Sequence, residues 1–245
     1  MAPLVMTPPQ VARAALLVGL LALLGLAGGA RGAETALVQD ILDGKELYID
    51  QEQARPRQTA RAPQQVRTGN SRGQLLFNTG AVGRLNTFSR LRLGSGCFLV
   101  DRGQVLVSGR QNGCTRSARL SVRGTNYVLE VGEDGGAEIS VLEGSVEVEP
   151  LREGEPTGAP PSLLEAGQRL RLSPLGVVTA LLTLNAGDYE QILMGPLFQG
   201  FPTPLPGLDD LRSLLESRFP GLSVPLPLPV PPTPSLPSLG LPRFF

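Results

Sequence analysis

Apolar and polar residues alternate along much of residues 73–149, as the stretch CTRSARLSVRGTNYVLEV at 114–131 illustrates. A period of two predicts β-strands with one face in a core and the other in water. Gly124 interrupts the alternation and predicts a bulge or bend where the strand changes sheets. The face predicted to be buried carries Leu120, Val122, Tyr127, Leu129 and Val131.

Short strand-like runs fill this region, and the longest gaps between them contain glycine. Turns are predicted at Asp101-Arg102-Gly103, at 132–136 and at Glu143-Gly144. No amphipathic helix of adequate length lies between the runs, which excludes a parallel α/β fold. The pattern predicts an all-β fold, a jelly-roll-like antiparallel β-sandwich or roll, over residues 36–180.

The segment before these strands has two parts. Residues 36–50 predict two short strands around a turn at Asp43-Gly44. Residues 51–72 are polar, interrupted by proline and rich in arginine, and they predict a solvated loop. The alternative, a basic segment that binds anionic glycan or lipid, stays open; binding of nucleic acid is not expected, because interleaved aromatic residues are missing. The arginines are Arg55, Arg57, Arg61, Arg67 and Arg72.

Residues 185–219 predict a short helical segment. Asn185 is a candidate N-cap for a first helix, and a second helix is expected from Gly207 to Arg218. Both are short for independent stability in water, so they dock on the β domain or fold on meeting a partner. Residues 220–245 predict a disordered proline-rich tail, in which polyproline II is the expected state. Such a tail is a spacer or a ligand for an aromatic groove.

The first 30 residues predict an export signal. Arg13 precedes an uncharged apolar run at 14–29, and small residues place a cleavage site after Ala30 or after Gly32. The alternative is an uncleaved anchor, because the run approaches the length that spans a bilayer. We expect cleavage, no later transmembrane segment and a periplasmic or secreted protein.

Export changes the interpretation of the two cysteines. Cys97 opens a strand-like run and Cys114 ends a polar turn, so an oxidising compartment would allow them to form a structural disulfide across hairpin-like sequence. The alternative is a pair of unrelated buried thiols.

The absence of histidine narrows the chemistry more than any residue that is present. With 0 histidines and 2 cysteines, histidine-based catalysis, zinc sites and iron–sulfur clusters are not expected. We therefore predict no enzyme, no cofactor and no metal. The remaining enzymatic hypothesis is a hydrolase with paired carboxylates from Glu133, Asp134 and Glu143. The net charge of +0 offers no field to recruit nucleic acid.

An ordered series of motifs resembles the FecR domain family. It begins with the R-T-G…S-R segment, continues through GQVLVSG and the RGT corner at Arg123, Gly124 and Thr125, and ends in VLEGSVEVE with Gly144. The resemblance covers about residues 36–172. It implies a compact all-β domain that works by protein contact, outside the cytoplasm. Only residues 1–13 precede the apolar run, so we expect no cytoplasmic sigma-binding segment.

Two functions follow as hypotheses. The first is an exported, non-enzymatic protein-interaction module, for signalling or as a scaffold, whose partner is an envelope protein. The alternative is a glycan-binding β-sandwich, although sugar sites favour stacking aromatic residues and the chain has no tryptophan and 3 tyrosines. Those are Tyr48, Tyr127 and Tyr189.

Overall fold

The structure, a computed structural model, describes residues 34–222. The predicted signal at 1–30 and residues 223–245 of the tail lie outside the described residues. None of the described helices has the length and hydrophobicity to cross a membrane. The described strands are β1 Thr35–Leu42, β2 Leu47–Ile49, β3 Glu52–Gln53, β4 Thr59–Arg61, β5 Gln65–Thr68, β6 Arg72–Phe77, β7 Val82–Leu85, β8 Arg90–Arg92, β9 Phe98–Gly109, β10 Gly113–Cys114, β11 Ala118–Val131, β12 Ala137–Arg152, β13 Glu155–Pro156, β14 Ser162–Glu165, β15 Gln168–Leu172 and β16 Val178–Thr183, and the helices are α1 Ala186–Leu193 and α2 Leu208–Arg218.

Three long strands, β9, β11 and β12, organise the sheet because each belongs to two layers. Their first and second halves pair with different neighbours. In the first layer the order is β16-β15-β12-β11-β9-β7-β6-β1-β4. In the second layer β14, β12, β11, β10, β9, β8, β5, β2 and β3 follow one another. All of these pairs are antiparallel except the two-residue pair of β9 with β10. The predicted all-β, antiparallel sandwich is confirmed.

The core lies between the two layers and draws on both. Val105, Leu129 and Ile139 enter it from the first layer, and Val66 and Leu120 enter it from the second, all at 0% exposure. Alternate residues of a strand point to one face, so the core residues of one stretch of strand are two apart, as Leu129 and Val131 of β11 are. The rings of Phe77 and Phe98 stack with centroids 5.3 Å apart and join the layers directly. The alternation seen in the sequence therefore predicts this core correctly.

Two of the three turns predicted within residues 73–149 are wrong. Only 132–136 is a hairpin turn, closed by the hydrogen bond from the Gly132 N–H to the Gly136 carbonyl. Asp101-Arg102-Gly103 lies inside β9, and Glu143-Gly144 lies inside β12. Both glycines have positive φ, 88° and 79°, so each bends a continuous strand from one layer into the other.

The prediction of a solvated loop over residues 51–72 is also wrong. This segment contains β3, β4 and β5, and it ends at the first residue of β6. Ala54, Ala60 and Val66 are buried in the core. These strands are two to four residues long, and the buried apolar residues of the segment stand singly, which leaves too weak a period to recognise in the sequence.

The segment that follows β16 packs on the outer face of the first layer. We call residues 184–222 the C-terminal segment. It covers strand residues that point away from the core, among them Leu106, Val128 and Leu142, and forms a second hydrophobic cluster with them. Of the two alternatives for the helices, docking on the β domain is the one observed. The expectation that the outer face is wet fails here.

The turn between β15 and β16 offers a direct test of close packing. Gly176 has a φ of +75°, and a Cβ at this position would lie 1.9 Å from the Leu151 carbonyl oxygen. We expect Gly176→Ala to lower the free energy of unfolding by about 3 kcal/mol, because left-handed strain and a backbone clash combine.

The matched control is Gly124→Ala, where φ is +56° and nothing lies within 4 Å of the new Cβ. It should cost about 1 kcal/mol, from backbone strain alone. Urea denaturation of both variants measures the difference, and equal costs would contradict the packing at Gly176.

Candidate interaction surface

The two cysteines lie where β9 and β10 begin to run side by side. Their sulfur atoms are 2.02 Å apart, a disulfide bond, as the sequence predicts. The bridge closes a loop with a sequence separation of 17 and contributes about 3 kcal/mol through the entropy of the unfolded chain. Cys114 is 7% exposed, so the bond is a structural link in the second layer.

The motif residues of the RGT corner meet at the bend of β11 and β12. Arg123 pairs with Ser145, and the next registered pair is Asn126 with Glu143, so the register shifts between them. Gly124 and Gly144 therefore lie opposite each other in that irregular step, both with positive φ. Arg123 is exposed, and the backbone of Thr125 pairs with Gly109 of β9. The predicted bend at Gly124 is observed, and Gly144 completes it.

The start of the second helix, α2, docks on this bend. The Asn126 side chain, 1% exposed, donates from Nδ2 to Glu143 Oε2 at 3.1 Å and to the Gly207 carbonyl at 3.3 Å, at the residue that precedes α2. The Ser108 hydroxyl donates to the Pro206 carbonyl. A cavity of about 190 Å³ remains between the bend and the start of the helix. The corner thus fixes the position of α2.

The charged form of the Glu143 carboxyl is electrostatically unfavourable where α2 docks. Burial raises the pKa of its carboxyl above the ordinary value of 4.5, and the nearby negative charge of Asp210 raises it further. The hydrogen bond from Asn126 opposes both effects. The two carboxylates stand at the docking point of α2, so their repulsion acts against the docked state when both are charged.

A buried arginine clamps the loop between the helices. Arg84 of β7 is 0% exposed and donates from Nε to Gln74 Oε1 at 2.7 Å. Its Nη atoms donate to the carbonyls of Leu197 at 3.1 Å, Phe198 at 3.3 Å and Thr203 at 2.9 Å. Burial lowers its pKa to about 9, opposed by the charge of Asp40, so the guanidinium stays charged at neutral pH.

Arg72, on the neighbouring strand β6, forms hydrogen bonds to the same loop. It pairs with Asp43 and donates to the carbonyls of Pro196 and Gln199. Its side chain is 13% exposed, so this arginine is not one of the solvated charges expected of residues 51–72. The guanidinium Cζ atoms of Arg72 and Arg84 both lie over the ring of Phe201, 5.4 Å and 4.2 Å from its centroid. Sequence reasoning missed Arg84, because nothing in AVGRLN separates a buried arginine from a solvated one.

The residues considered for catalysis do not form a site. Glu133 is ion-paired to Arg102, and Asp134 accepts from the Gly136 N–H, both at the hairpin turn. Glu143 lies at the bend, at the other end of that half of β12. Within residues 34–222, no group of three or more histidine, cysteine, aspartate or glutamate side chains is placed to hold a metal.

The tyrosines do not form a sugar platform either. Tyr127 and Tyr189 are 0% exposed, with their hydroxyls donating to the Gln111 and Leu142 carbonyls. The ring of Tyr48 is covered by Arg67, whose Cζ is 3.9 Å from the centroid. Surface cavities of about 310 and 560 Å³, both within the part of the chain that the structure describes, have no aromatic residue in their lining.

The last strand of the first layer presents an exposed apolar surface. β16 pairs with β15 on one side, and along the described chain its other edge has no strand partner. We define the β16 surface as this edge with the large apolar residues on and beside it. All are more than 40% exposed: Leu175, Val177, Val178, Leu181 and Leu182.

The hydrogen bonding of β16 fixes which groups are free. The Leu184 N–H donates to the Gly167 carbonyl at 2.7 Å, toward β15. Successive residues of a strand alternate in this direction, so the N–H and C=O groups of Leu181 and Thr183 point to the free edge. Leu181 is directly opposite Leu170, a core residue, so its side chain lies on the core face of the sheet, where it is 59% exposed. The edge is both unpaired and apolar.

Residues 64–147 match the family model described as FecR protein. This part of the chain is FecR-like. The resemblance seen in the motifs is confirmed, and the match includes the bends of all three long strands together with Arg72 and Arg84. The β16 surface and the C-terminal segment lie outside the match.

Two solved structures, at 2.50 and 1.65 Å resolution, are similar to the chain. Each is described as a "putative anti-sigma factor" from Parabacteroides distasonis ATCC 8503. Both are 19% identical with a TM-score of 0.43 and cover 62% of this chain, and 72% and 73% of their own chains. None of the curated proteins matches the chain.

The arginine clamp predicts a large cost for its removal. Arg84→Met leaves Gln74 and three carbonyls without their donor, so we expect the free energy of unfolding to fall by about 3 kcal/mol. Arg90→Met, which changes an exposed arginine of β8, should alter it by less than about 0.5 kcal/mol. Urea denaturation measures both, and a similar small effect for the two variants would argue against the clamp.

The raised pKa of Glu143 predicts a pH dependence with a definite sign. A carboxyl whose pKa is higher in the folded state binds its proton more tightly there, so stability falls as pH rises from 4.5 through the raised value. We expect Glu143→Gln to raise the Tm at pH 8 and to leave it unchanged at pH 4.

The control for this series is Glu147→Gln, at an exposed position of the same strand. Its Tm should follow the parent protein at each pH. Thermal unfolding of the three proteins from pH 4 to pH 8 tests the sign, and a gain for Glu143→Gln that grows toward low pH would refute it.

Proposed function

We propose that this protein is an exported, non-enzymatic interaction module of the cell envelope, which binds a partner protein at the β16 surface for signalling or as a scaffold. The observation that supports this most is the unpaired, apolar edge of β16, because monomeric proteins rarely leave such an edge open. A partner segment in extended conformation would add to it through main-chain hydrogen bonds.

Two further observations support the proposal. The match of residues 64–147 to the FecR model supports the proposal, because the resemblance to that family implies protein contact. The disulfide between Cys97 and Cys114 suits an oxidising compartment, as does the signal-like run at residues 14–29.

Photocrosslinking in intact cells tests the proposal. A photoreactive residue at Leu182, 41% exposed on β16, should give an adduct with one defined envelope protein. The matched control at Ser121, exposed on the second layer, should not give that adduct. No adduct from Leu182, or the same adducts from both positions, would rule out β16 as the binding surface.

The captured protein then allows a measurement of affinity. Val177→Glu with Leu182→Glu should weaken its binding by at least about tenfold, because charges replace apolar contacts at the edge. Ser121→Glu should leave the affinity unchanged.

Mass spectrometry of the native protein from a periplasmic fraction tests export. A chain that begins at Arg31 or Ala33 is expected, and recovery of the intact chain from the cytoplasm would contradict export.

A further inference from the structure

Arginines stand next to one another on neighbouring strands of the second layer. We propose that they form a binding site for an acidic polysaccharide, a linear chain of sugars that carry carboxylate or sulfate groups. The site lies on β5, β8 and β9, apart from the β16 surface, so it does not rest on the proposed function. We call its four residues the arginine cluster: Arg67, Arg90, Arg92 and Arg102.

The strand register places these arginines side by side. Arg67 of β5 is directly opposite Arg90 of β8, and Arg90 is directly opposite Arg102 of β9. Residues opposite each other in an antiparallel pair have their Cβ atoms about 5 Å apart. Arg92 follows Arg90 by two positions and therefore shares its face of the strand. Leu91, between them, is a core residue, so the arginine side chains of β8 point away from the core.

Two arginines that face each other across strands repel, and other strand pairs of this chain have the opposite arrangement. Arg119 is directly opposite Glu149, and their side chains form an ion pair at 2.7 Å. Arg171 is directly opposite Glu138, with an ion pair at 2.6 Å. Because like charges in these positions destabilise a sheet, the arginine cluster lowers the stability of the free protein. A cost of this kind is expected of residues that serve binding.

Acidic side chains of the described chain neutralise little of the cluster. Along residues 34–222, three of its four members take part in no ion pair. The exception, Arg102, pairs with Glu133 at 2.7 Å, but both side chains are more than half exposed, so the pair is weak. The guanidinium of Arg67 stacks on Tyr48, with its Cζ 3.9 Å from the ring centroid, which orients its N–H groups.

The cluster opens onto a surface cavity of about 560 Å³. Arg90, Arg92 and Arg102 line this cavity, and Arg116, from the loop before β11, adds a further positive charge. Guanidinium groups bind oxyanions such as carboxylates through paired N–H donors in a fixed geometry. Recognition by charge needs no aromatic residue in the lining, unlike a site on which a neutral sugar stacks.

The acidic residues beside the cavity favour a single polymer chain over an anionic membrane. Glu133 and Asp134 line the cavity from the hairpin turn at 132–136, and Asp101 lines it from β9. The Glu133 side chain is 82% exposed, so a flat anionic surface pressed against this face would meet its charge. A polymer chain is narrow enough to follow β5 and β8, which contain no acidic residue, and to avoid the turn.

Equilibrium binding of the purified full chain tests the proposal. The probes are polygalacturonate, which carries a carboxylate on each sugar, dextran sulfate and uncharged dextran. We expect an acidic polymer to bind, dextran not to bind, and the affinity to fall as salt is added, because salt screens the charges. Arg90→Gln with Arg92→Gln should weaken binding by at least about tenfold. This variant should keep the parent's Tm or exceed it, because repulsion between opposite arginines is relieved.

The matched control is Arg110→Gln with Arg123→Gln, which removes the same charge from two exposed arginines outside the cavity lining. Its affinity should equal that of the parent. Binding of neither acidic polymer, equal binding of dextran, or an equal loss in both double variants would overturn the proposal. So would binding of phosphatidylglycerol vesicles in place of the polymers. Because no protein partner is present, these outcomes are separate from those of photocrosslinking at Leu182.

Discussion

The pairing of β11 with β12 is the constraint on which the rest of the structure depends. It runs from the pair Ala118–Pro150 to the pair Val131–Ala137, and two register shifts, one on each side of Asn126, form an irregular step. Because both strands pass through two layers, the core is enclosed by continuous backbone. The step requires a backbone conformation that suits glycine, supplied on both strands, by Gly124 and Gly144. The same step provides the amide of Asn126 that seats α2.

A second consequence of the fold is the way polar groups are satisfied beneath the C-terminal segment. The loop between the helices, residues 194–207, is irregular, so its carbonyls need partners from outside the loop. The guanidinium groups of Arg72 and Arg84 provide several donors each in a fixed geometry, and they bind five of these carbonyls. The apolar contacts of Leu106 and Val128 hold the segment, and the arginines determine where it lies.

The alternation of residues was sufficient to predict the strands and the inner core, because a period of two depends on local geometry alone. It could not predict the bends at Gly103 and Gly144, since glycine followed by a new apolar run is equally typical of a tight turn. The covered outer face could have been recognised in the sequence from two short runs that are apolar without alternation. Leu106 and Val128 stand within these runs, VLV and YVL. Arg84 gave no signal, because its burial depends on a loop more than 100 positions away in sequence. The open edge of β16 also required the structure, since pairing is not local.

The second hydrophobic cluster has a consequence for what counts as a folding unit in this chain. The family match stops at residue 147, yet the C-terminal segment that covers Leu106, Val128 and Leu142 begins at residue 184. A fragment cut at the limits of the match would expose this apolar surface to solvent. It would also leave the buried guanidinium of Arg84 without its carbonyl acceptors. The limits of the family match and the limits of the folding unit are therefore different.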